Sequence, residues 1–206
     1  RYQEVTGVQT CALPISSTCQ LRPPSQGLRA SAHVLTSAGP RGATDLQAGV
    51  PVLFVQPEAR AAEALGRASR AGGGGGSAQE RGIARWPAIV FMHGTGASAA
   101  DLWPWMEAVA GRGVCCLAVD ARYHGQRYGG NSREAYEDAL VAAWRGSGER
   151  PFLLDTVDDL LSLVLGWLEE QPGVDGARIG VTGISLGGMM AVLAAAADER
   201  IAAVAP

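Results

Sequence analysis

The feature that most constrains the fold is a series of short, almost wholly apolar segments separated by longer segments with helical spacing. These apolar segments are residues 49–57, 88–92, 114–119, 178–183 and 201–205. A strand that is apolar on both faces is normally buried on both faces, a pattern typical of parallel sheets covered by helices on each side. The sequence therefore predicts an α/β fold with a doubly wound, mostly parallel sheet.

The segments around these strands have the spacing of helices with one apolar side. Helices are predicted at residues 101–113, 132–144, 155–170 and 186–198. Within 155–170, apolar residues recur at intervals of three and four, which places them on one side that faces the core. They are Val157, Leu160, Leu161, Val164, Leu165 and Leu168. Trp167 lies off this stripe and is expected to brace the helix edge.

The chain divides into an N-terminal part without clear periodicity and a regular part. Residues 5–16 look like the in-frame translation of a short-read sequencing adaptor, so residues 1–16 are predicted to be non-native and without regular structure. Residues 17–45 are predicted to be a disordered lead-in, with the remnant of an organellar transit peptide as the alternative. Residues 46–206 are predicted to form the α/β domain, interrupted at 71–77 by a poly-Gly loop that follows a helix at 59–70.

The composition fits one soluble globular domain. Of the 206 residues, 47% are hydrophobic and 18% charged, and the net charge is −3. This charge balance gives no basic patch for nucleic acid, and no apolar run reaches the roughly 20 residues of a membrane span. Cys115 and Cys116 are adjacent in an apolar strand, so we expect them on opposite faces as buried free thiols. The default compartment is therefore the reducing cytoplasm, and the oligomeric state stays open.

No cofactor or metal is predicted. The chain contains no HExxH motif and no Cys/His cluster at ligand spacing. The five consecutive glycines within 71–77 are not followed by the GK[ST] of a phosphate-binding loop, so they are interpreted as a flexible insertion.

The strongest chemical signal is the pentapeptide Gly183-Ile184-Ser185-Leu186-Gly187, between a predicted strand and a predicted helix. A GxSxG sequence at such a junction is typical of a nucleophile elbow, in which a serine is exposed on a sharp strand-to-helix turn. Glycine is required at 183 and 187 because the strand and helix backbones approach each other, and a Cβ there would clash.

The order of landmarks along the chain resembles the α/β-hydrolase superfamily. Strand 88–92 leads into HGTG, strand 114–119 into DARYHG, and strand 178–183 into GISLGG. The RYHG and GISLGGM variants look like the dienelactone-hydrolase and prolyl-oligopeptidase-like esterase branch. The resemblance covers roughly residues 49–206 and implies an α/β-hydrolase fold.

This resemblance implies that Ser185 is a nucleophile flanked by oxyanion donors. The backbone N–H of Leu186, at the positive end of the following helix, is the first expected donor. The second is expected from the HGTG turn, where Thr95 is favoured and Gly94 is the alternative. Trp103 and Trp105 follow this turn, and they either wall an acyl pocket or pack against the sheet.

The histidines are not expected to supply the catalytic base. The resemblance implies that His93 and His124, together with Asp120, order the loops around the site. His33 falls in the predicted lead-in and is expected to have no catalytic role.

The other members of a catalytic triad are missing from the sequence. In the superfamily the acid and the histidine follow the serine along the chain. No histidine follows Ser185, and Asp198 and Glu199 are expected roughly 20 Å away, at the far end of a helix that rises about 1.5 Å per residue. The sequence therefore predicts a chain truncated after the elbow and inactive by itself.

For the parent protein, the resemblance implies a serine hydrolase. Its substrates are expected to be small-molecule carboxylic esters or related acyl compounds, with peptides and lactones left open. The alternative is a non-catalytic α/β-hydrolase fold used for ligand perception or protein binding.

Overall fold

The structure is a computed structural model, and it describes residues 2–5, 8–13, 24–37, 49–58, 85–127, 133–147 and 152–206. Over these ranges, eight strands form one sheet. They are β1 (Tyr2–Val5), β2 (Val8–Leu13), β3 (Leu28–Ser37), β4 (Val50–Pro57), β5 (Trp86–Met92), β6 (Cys115–Val119), β7 (Val174–Gly183) and β8 (Ile201–Ala205).

The sheet has an antiparallel half and a parallel half. Its strand order is β1-β2-β3-β4-β6-β5-β7-β8. The pairs from β1 to β4, and β4 with β6, are antiparallel, whereas β6, β5, β7 and β8 run parallel. The predicted doubly wound α/β sheet is confirmed, and the antiparallel strands extend it at one edge.

Helical segments connect the parallel strands. The α-helices among the described residues are α1 (Trp103–Ala110), α2 (Arg133–Ser147), α3 (Phe152–Asp159), α4 (Leu165–Glu169) and α5 (Leu186–Ala197). A π-helical turn, Leu160–Val164, joins α3 to α4, and short 3₁₀ turns lie at Ala99–Leu102 and Gly125–Arg127. The helix predicted at 155–170 is thus confirmed as a continuous helical segment, Phe152 to Glu169, with a π-helical turn at its centre.

The helices cover both faces of the sheet. Helices α3, α4 and α5 bury their apolar residues in one core cluster, and α1 buries Trp103 and Met106 in a second cluster on the opposite face. Cys115 belongs to the first cluster and Cys116 to the second, which confirms that the two buried free thiols point to opposite faces. Burial raises the pKa of each thiol to about 12.

The predicted disordered lead-in is wrong for Leu28–Ser37, which form strand β3. This strand pairs with β4 from Leu28 to Leu35 and buries Leu28, Ala32 and Leu35. Alanine, serine and arginine are weak strand formers, so local propensity does not mark the segment. The long antiparallel pairing with β4 decides its conformation.

His33 and Trp167 also lie elsewhere than expected. His33 is on β3, where its ring packs 4.9 Å from the ring of Trp167. Trp167 is buried rather than at the helix edge, with its other neighbour Phe54 in an edge-to-face contact at 5.4 Å. The antiparallel strands β3 and β4 extend the sheet below α4 and bury Trp167. The apolar stripe of the helix does not predict this contact, because Trp167 lies outside the stripe.

Part of the N-terminal prediction falls inside the described residues. Val8–Leu13, for which no regular structure is expected, form strand β2 and pair with β3. The non-native origin of residues 1–16 stays a prediction. Residues 17–23 and 38–45 of the lead-in, the helix at 59–70, the poly-Gly loop at 71–77 and the first predicted residue of helix 132–144 lie outside the described residues.

Within the described part of the chain, no helix combines the length and the apolar character needed to cross a membrane.

Candidate active site

Ser185 occupies a sharp turn between β7 and α5. Its backbone has φ 55° and ψ −113°, a conformation that L-residues rarely adopt and that costs about 1–3 kcal/mol. The backbone N–H of Ile184 donates to the carbonyl of Met92 at 3.2 Å, and that of Gly187 donates to the carbonyl of Ile184 at 2.9 Å. These bonds hold the strained turn against the end of β5, with Ser185 exposed at its tip.

The glycines of the pentapeptide allow this close approach. A Cβ at Gly183 would overlap the backbone of Gly187 and Gly188. A Cβ at Gly187 would overlap the backbone carbonyl groups of Met92 and His93. The expected clash is confirmed at both positions, since the atoms in the way belong to the backbone and cannot rotate aside as a side chain would.

The turn after β5 lies directly beside Ser185. A Cβ added to Gly94 would be 3.7 Å from the Cβ of Ser185 and 3.3 Å from the carbonyl oxygen of Ile184. The turn itself is closed by the N–H of Ala97, which donates to the carbonyl of Gly94 at 3.2 Å, with Gly96 at φ 80°. Thr95 is the first of the two central residues, so its N–H takes no part in the bond that closes the turn.

Leu186 is the first residue of α5, immediately after Ser185. The first N–H groups of a helix have no acceptor within the helix, and they carry its partial positive charge. The structure therefore brings together Ser185, the start of α5 with Leu186, and the turn that contains Gly94 and Thr95. On its far side this turn meets α2, where Arg133 lies 3.3 Å from a Cβ placed on Gly96.

His93 is fully buried and links the turn to the end of β6. Its Nε2 accepts a hydrogen bond from the N–H of Ala121 at 3.0 Å, and its Nδ1 lies 2.8 Å from the carbonyl oxygen of Gly94. Since Nε2 accepts, the proton must be on Nδ1, which donates to Gly94. The ring is thus neutral, and burial lowers the pKa of His93 below its ordinary value of 6.5.

Asp120 joins two loops through its carboxylate. Oδ1 accepts from the N–H of Ala99 at 2.8 Å, and Oδ2 accepts from the N–H of Gln126 at 2.9 Å. The carboxylate packs against Gly125 so closely that a Cβ there would overlap it. Burial raises the pKa of Asp120 above its ordinary value, and the hydrogen bonds from Ala99 and Gln126 oppose that shift.

His124 is buried between two other rings. Its ring centroid is 4.9 Å from that of His93 and 4.7 Å from that of Tyr136 on α2. Its Nδ1 lies 2.9 Å from the carbonyl oxygen of Arg122, to which it donates. Burial lowers the pKa of His124 below 6.5.

The remaining candidates lie away from Ser185. His33 Nε2 is 2.8 Å from Ser31 Oγ, within the antiparallel half of the sheet. Asp198 follows the last residue of α5 and forms an ion pair with Arg200 at 2.6 Å. Trp103 is buried in the core between α1 and the sheet, whereas Trp105 is 53% exposed. Of the two interpretations left open for the tryptophans, core packing holds for Trp103.

One buried ionic cluster near the site was missed by reasoning from the sequence. Asp159, the last residue of α3, accepts hydrogen bonds from Arg122 Nε and Nη2 at 3.2 and 3.1 Å. Arg127, which is fully buried, lies 2.8 Å from the same carboxylate. These contacts tie α3 to the loop that carries His124. No sequence signal marks Asp159, because its partners are more than 30 positions earlier in the chain.

No group of three or more His, Cys, Asp or Glu side chains in the described ranges could hold a metal ion.

A family model described as the Alpha/beta hydrolase family matches residues 89–206 of this 206-residue chain. Among curated proteins, the thiohydrolase aneE of Aspergillus aculeatus is 29% identical over 121 residues. That alignment covers 58% of this chain and 33% of the thiohydrolase.

Two solved esterases share the fold. Acetyl xylan esterase 1 of Thermoanaerobacterium sp. JW/SL YS485 has a TM-score of 0.59 at 19% identity, over 95% of this chain and 50% of its own. The ferulic acid esterase of Streptomyces cinnamoneus has a TM-score of 0.52 at 22% identity, over 87% of this chain and 58% of its own. The chain therefore spans a third of the length of its curated relative and 50% and 58% of these two structures.

Proposed function

The chain belongs to the alpha/beta hydrolase family, and from this premise we propose that Ser185 is the nucleophile of a hydrolase that cleaves carboxylic esters or related acyl compounds. The observation that carries the proposal is the strained backbone of Ser185, at φ 55°, directly beside Gly94 of the turn after β5. A strained residue is retained where the surrounding structure enforces it, and such residues cluster at active sites.

The proposed reaction begins with attack of Ser185 Oγ on the carbonyl carbon of the substrate. The oxygen of that carbonyl acquires negative charge as the tetrahedral intermediate forms. We assign the N–H groups of Leu186 and Thr95 as its donors, with Gly94 as the alternative to Thr95. Collapse of the intermediate expels the alcohol or thiol and leaves an acyl-enzyme, which water then hydrolyses. Removing one such donor typically lowers kcat by about a hundredfold to a thousandfold.

His93, Asp120 and His124 are assigned as residues that hold the site rather than react. Both ring nitrogens of His93 are already in hydrogen bonds with the backbone. The carboxylate of Asp120 holds the N–H of Ala99 and that of Gln126. His124 donates to Arg122 and packs between two rings. His93 and Asp120 are thus occupied by backbone N–H and carbonyl groups. His124 Nε2 has no hydrogen-bond partner among the described residues, and we assign His124 to the loop because its ring is fully buried.

A base for Ser185 is accordingly not found among the described residues. Without a base, a serine hydroxyl is a weak nucleophile at neutral pH. We infer that the hydrolase activity belongs to the protein encoded by the complete reading frame, and that the 206-residue chain is inactive alone. An acid and a histidine that complete the triad would be supplied outside the described part of the chain.

The substrate class is inferred from the chemistry shared by the relatives. A thiohydrolase and two esterases are among the similar proteins. Esters and thioesters have in common a carbonyl carbon with a leaving group that departs readily as an alcohol or thiol. We therefore propose small acyl esters or thioesters as substrates.

Covalent labelling tests the proposal directly. The protein from the complete reading frame is treated with a fluorophosphonate probe, which reacts with activated serines. Labelling of the native protein and its loss in Ser185→Ala are expected, whereas Ser162→Ala, which removes an exposed helix serine, should label normally. Labelling that persists in Ser185→Ala, or none in the native protein, would contradict the proposal and favour a binding protein with this fold.

A further inference from the structure

The turn beside Ser185 contains two glycines and therefore needs external contacts to fix its conformation. Gly94 and Gly96 flank Thr95, and Gly96 adopts a positive φ. Glycine loses more backbone freedom on ordering than any other residue, so the cost of holding this turn in one conformation is high. What holds it determines where the N–H of Thr95 points.

The turn is held on one side by His93 and on the other by two carboxylates. After the turn, the N–H of Ser98 donates to Asp101 Oδ2 at 2.8 Å, and the Oγ of Ser98 donates to the same oxygen at 2.9 Å. The next N–H, that of Ala99, donates to Asp120 at 2.8 Å. Two consecutive backbone N–H groups are thus fixed by two different carboxylates.

We propose that Asp101 is a positioning residue for the oxyanion donor in the turn 94–97, acting through Ser98; this assignment rests on the proposed function of Ser185. Asp101 is exposed and acts on the turn through another residue, so it is not a catalytic residue. Its carboxylate fixes Ser98, which is buried, one residue after the end of the turn. When that carboxylate is removed, Ser98 loses its hydrogen bonds to Asp101, and only the bond from Ala99 to Asp120 still fixes the segment after the turn. Thr95, which lies between two glycines, then becomes less constrained.

The same helical segment supplies a matched control. Glu107 on α1 also accepts from the N–H and the Oγ of one serine, Ser25, both at 2.7 Å. The two carboxylates therefore make the same pair of hydrogen bonds, one beside the turn and one near the far end of the helix. Replacing either carboxylate removes two hydrogen bonds from a serine, but only the replacement of Asp101 is expected to alter the turn 94–97.

A first measurement follows hydrogen exchange in the 206-residue chain and does not depend on catalysis. In Asp101→Ala, amide exchange in residues 94–99 is expected to rise about tenfold or more while that of α1 stays near the native rate. Glu107→Ala should leave 94–99 unchanged. Faster exchange spread along α1, with no larger effect at 94–99, would identify Asp101 as a helix cap only and overturn the proposal.

A second measurement uses ester hydrolysis by the protein from the complete reading frame. Asp101→Ala is expected to lower kcat by about tenfold to a hundredfold with KM nearly unchanged, since misplacing a group by about 1 Å has effects of this size. Asp101→Asn keeps an oxygen that can accept from Ser98 and should recover most of the loss. Glu107→Ala should retain native kcat.

The two proposals fail in different ways. If Ser185→Ala abolishes hydrolysis but Asp101→Ala and Glu107→Ala have equal kcat, the nucleophile assignment stands and the positioning role is overturned. If hydrolysis does not depend on Ser185, the proposed function fails, and the exchange measurement still decides whether Asp101 fixes the turn.

Discussion

His93 Nε2 accepts a hydrogen bond from the backbone N–H of Ala121 at 3.0 Å, which joins the residue after β5 to the loop after β6. The other ring nitrogen of His93 donates to Gly94, beside Ser185. One neutral imidazole therefore connects the ends of two adjacent parallel strands. This arrangement explains why a histidine at the edge of a candidate active site is structural, since neither nitrogen is left to accept a proton.

Replacing this histidine is expected to destabilise the fold. His93→Ala leaves the buried N–H of Ala121 without its acceptor and opens a cavity, so the free energy of unfolding should fall by at least about 2 kcal/mol. Urea denaturation of the 206-residue chain measures the change. His33→Ala serves as the comparison, because His33 is only partly buried and bonds a single side chain. Equal losses in the two variants would contradict the role assigned to His93.

The three histidines also predict that the protein loses stability in mild acid. Burial lowers the pKa of His33, His93 and His124 in the folded state, so the unfolded chain binds protons more readily than the native one. The free energy of unfolding should therefore fall as the pH drops below about 6.5 and continue to fall until the lowered native pKa values are reached.

Asp120 contributes with the opposite sign. Its pKa is raised in the folded state, so the stability it gives is present below its ordinary pKa and is lost as the pH rises through its folded value. Urea denaturation at pH 7.5 and 5.5 therefore measures the sum of the two effects, and three histidines against one aspartate should leave a net loss of stability at pH 5.5. Equal or greater stability at pH 5.5 would contradict the prediction.

The parallel half of the fold and strand β4 could be predicted from the sequence, whereas the antiparallel strands β1, β2 and β3 could not. Strands β5 and β6 are nearly all apolar and mostly buried, which leaves a clear pattern in the sequence. The C-terminal part of β7 and the whole of β8 show a similar apolar run, although β8 is largely exposed in the structure. Strand β3 contains Arg29, Ser31 and His33, and its pairing with β4 comes from contacts that are distant along the chain. The composition of the segment itself does not indicate that it pairs with β4.

The same distinction applies to the candidate site. Gly183 and Gly187 mark the elbow because close backbone contact excludes a Cβ, and that requirement is visible in the residue type itself. Asp159 is an ordinary acidic residue in a helical segment, and its partners become known only once the loop after β6 is placed in three dimensions. Asp101 differs, because it follows its partner Ser98 by three residues, which is the spacing of a capping box.

The glycine requirement can be tested with one matched pair. Gly187→Ala places a Cβ against the backbone of Met92 and His93, so it should destabilise the fold by at least about 1–3 kcal/mol. Gly166→Ala lies in α4, where a Cβ meets nothing within 4 Å, and it should stabilise the fold by about 1 kcal/mol through helix propensity. Thermal unfolding of both variants measures the difference. A Gly187→Ala protein as stable as the native one would contradict the close approach.

The buried ionic cluster predicts a large difference between two adjacent aspartates. Asp159→Ala removes one carboxylate that makes two contacts. It faces the fully buried Arg127, and it accepts two hydrogen bonds from Arg122. Breaking a buried ion pair by removing one partner typically costs about 3–5 kcal/mol. Asp158→Ala removes the side chain of an exposed neighbour and should change the free energy of unfolding by less than about 0.5 kcal/mol. Chemical denaturation of both variants tests this, and similar losses would show that the cluster contributes little.

The last prediction concerns the 206-residue chain alone, which should not hydrolyse p-nitrophenyl acetate above background. His93 holds two backbone groups, the ring of His124 is fully buried between those of His93 and Tyr136, and His33 lies on β3. We therefore expect that no histidine of the chain activates Ser185. Losing one member of a triad lowers turnover by several orders of magnitude. The measurement is the release of p-nitrophenol by the native chain and by Ser185→Ala, which should be indistinguishable. A burst from the native chain that Ser185→Ala abolishes would mean that a base is present, and the assignment of His93 and His124 to the loops would then have to be given up.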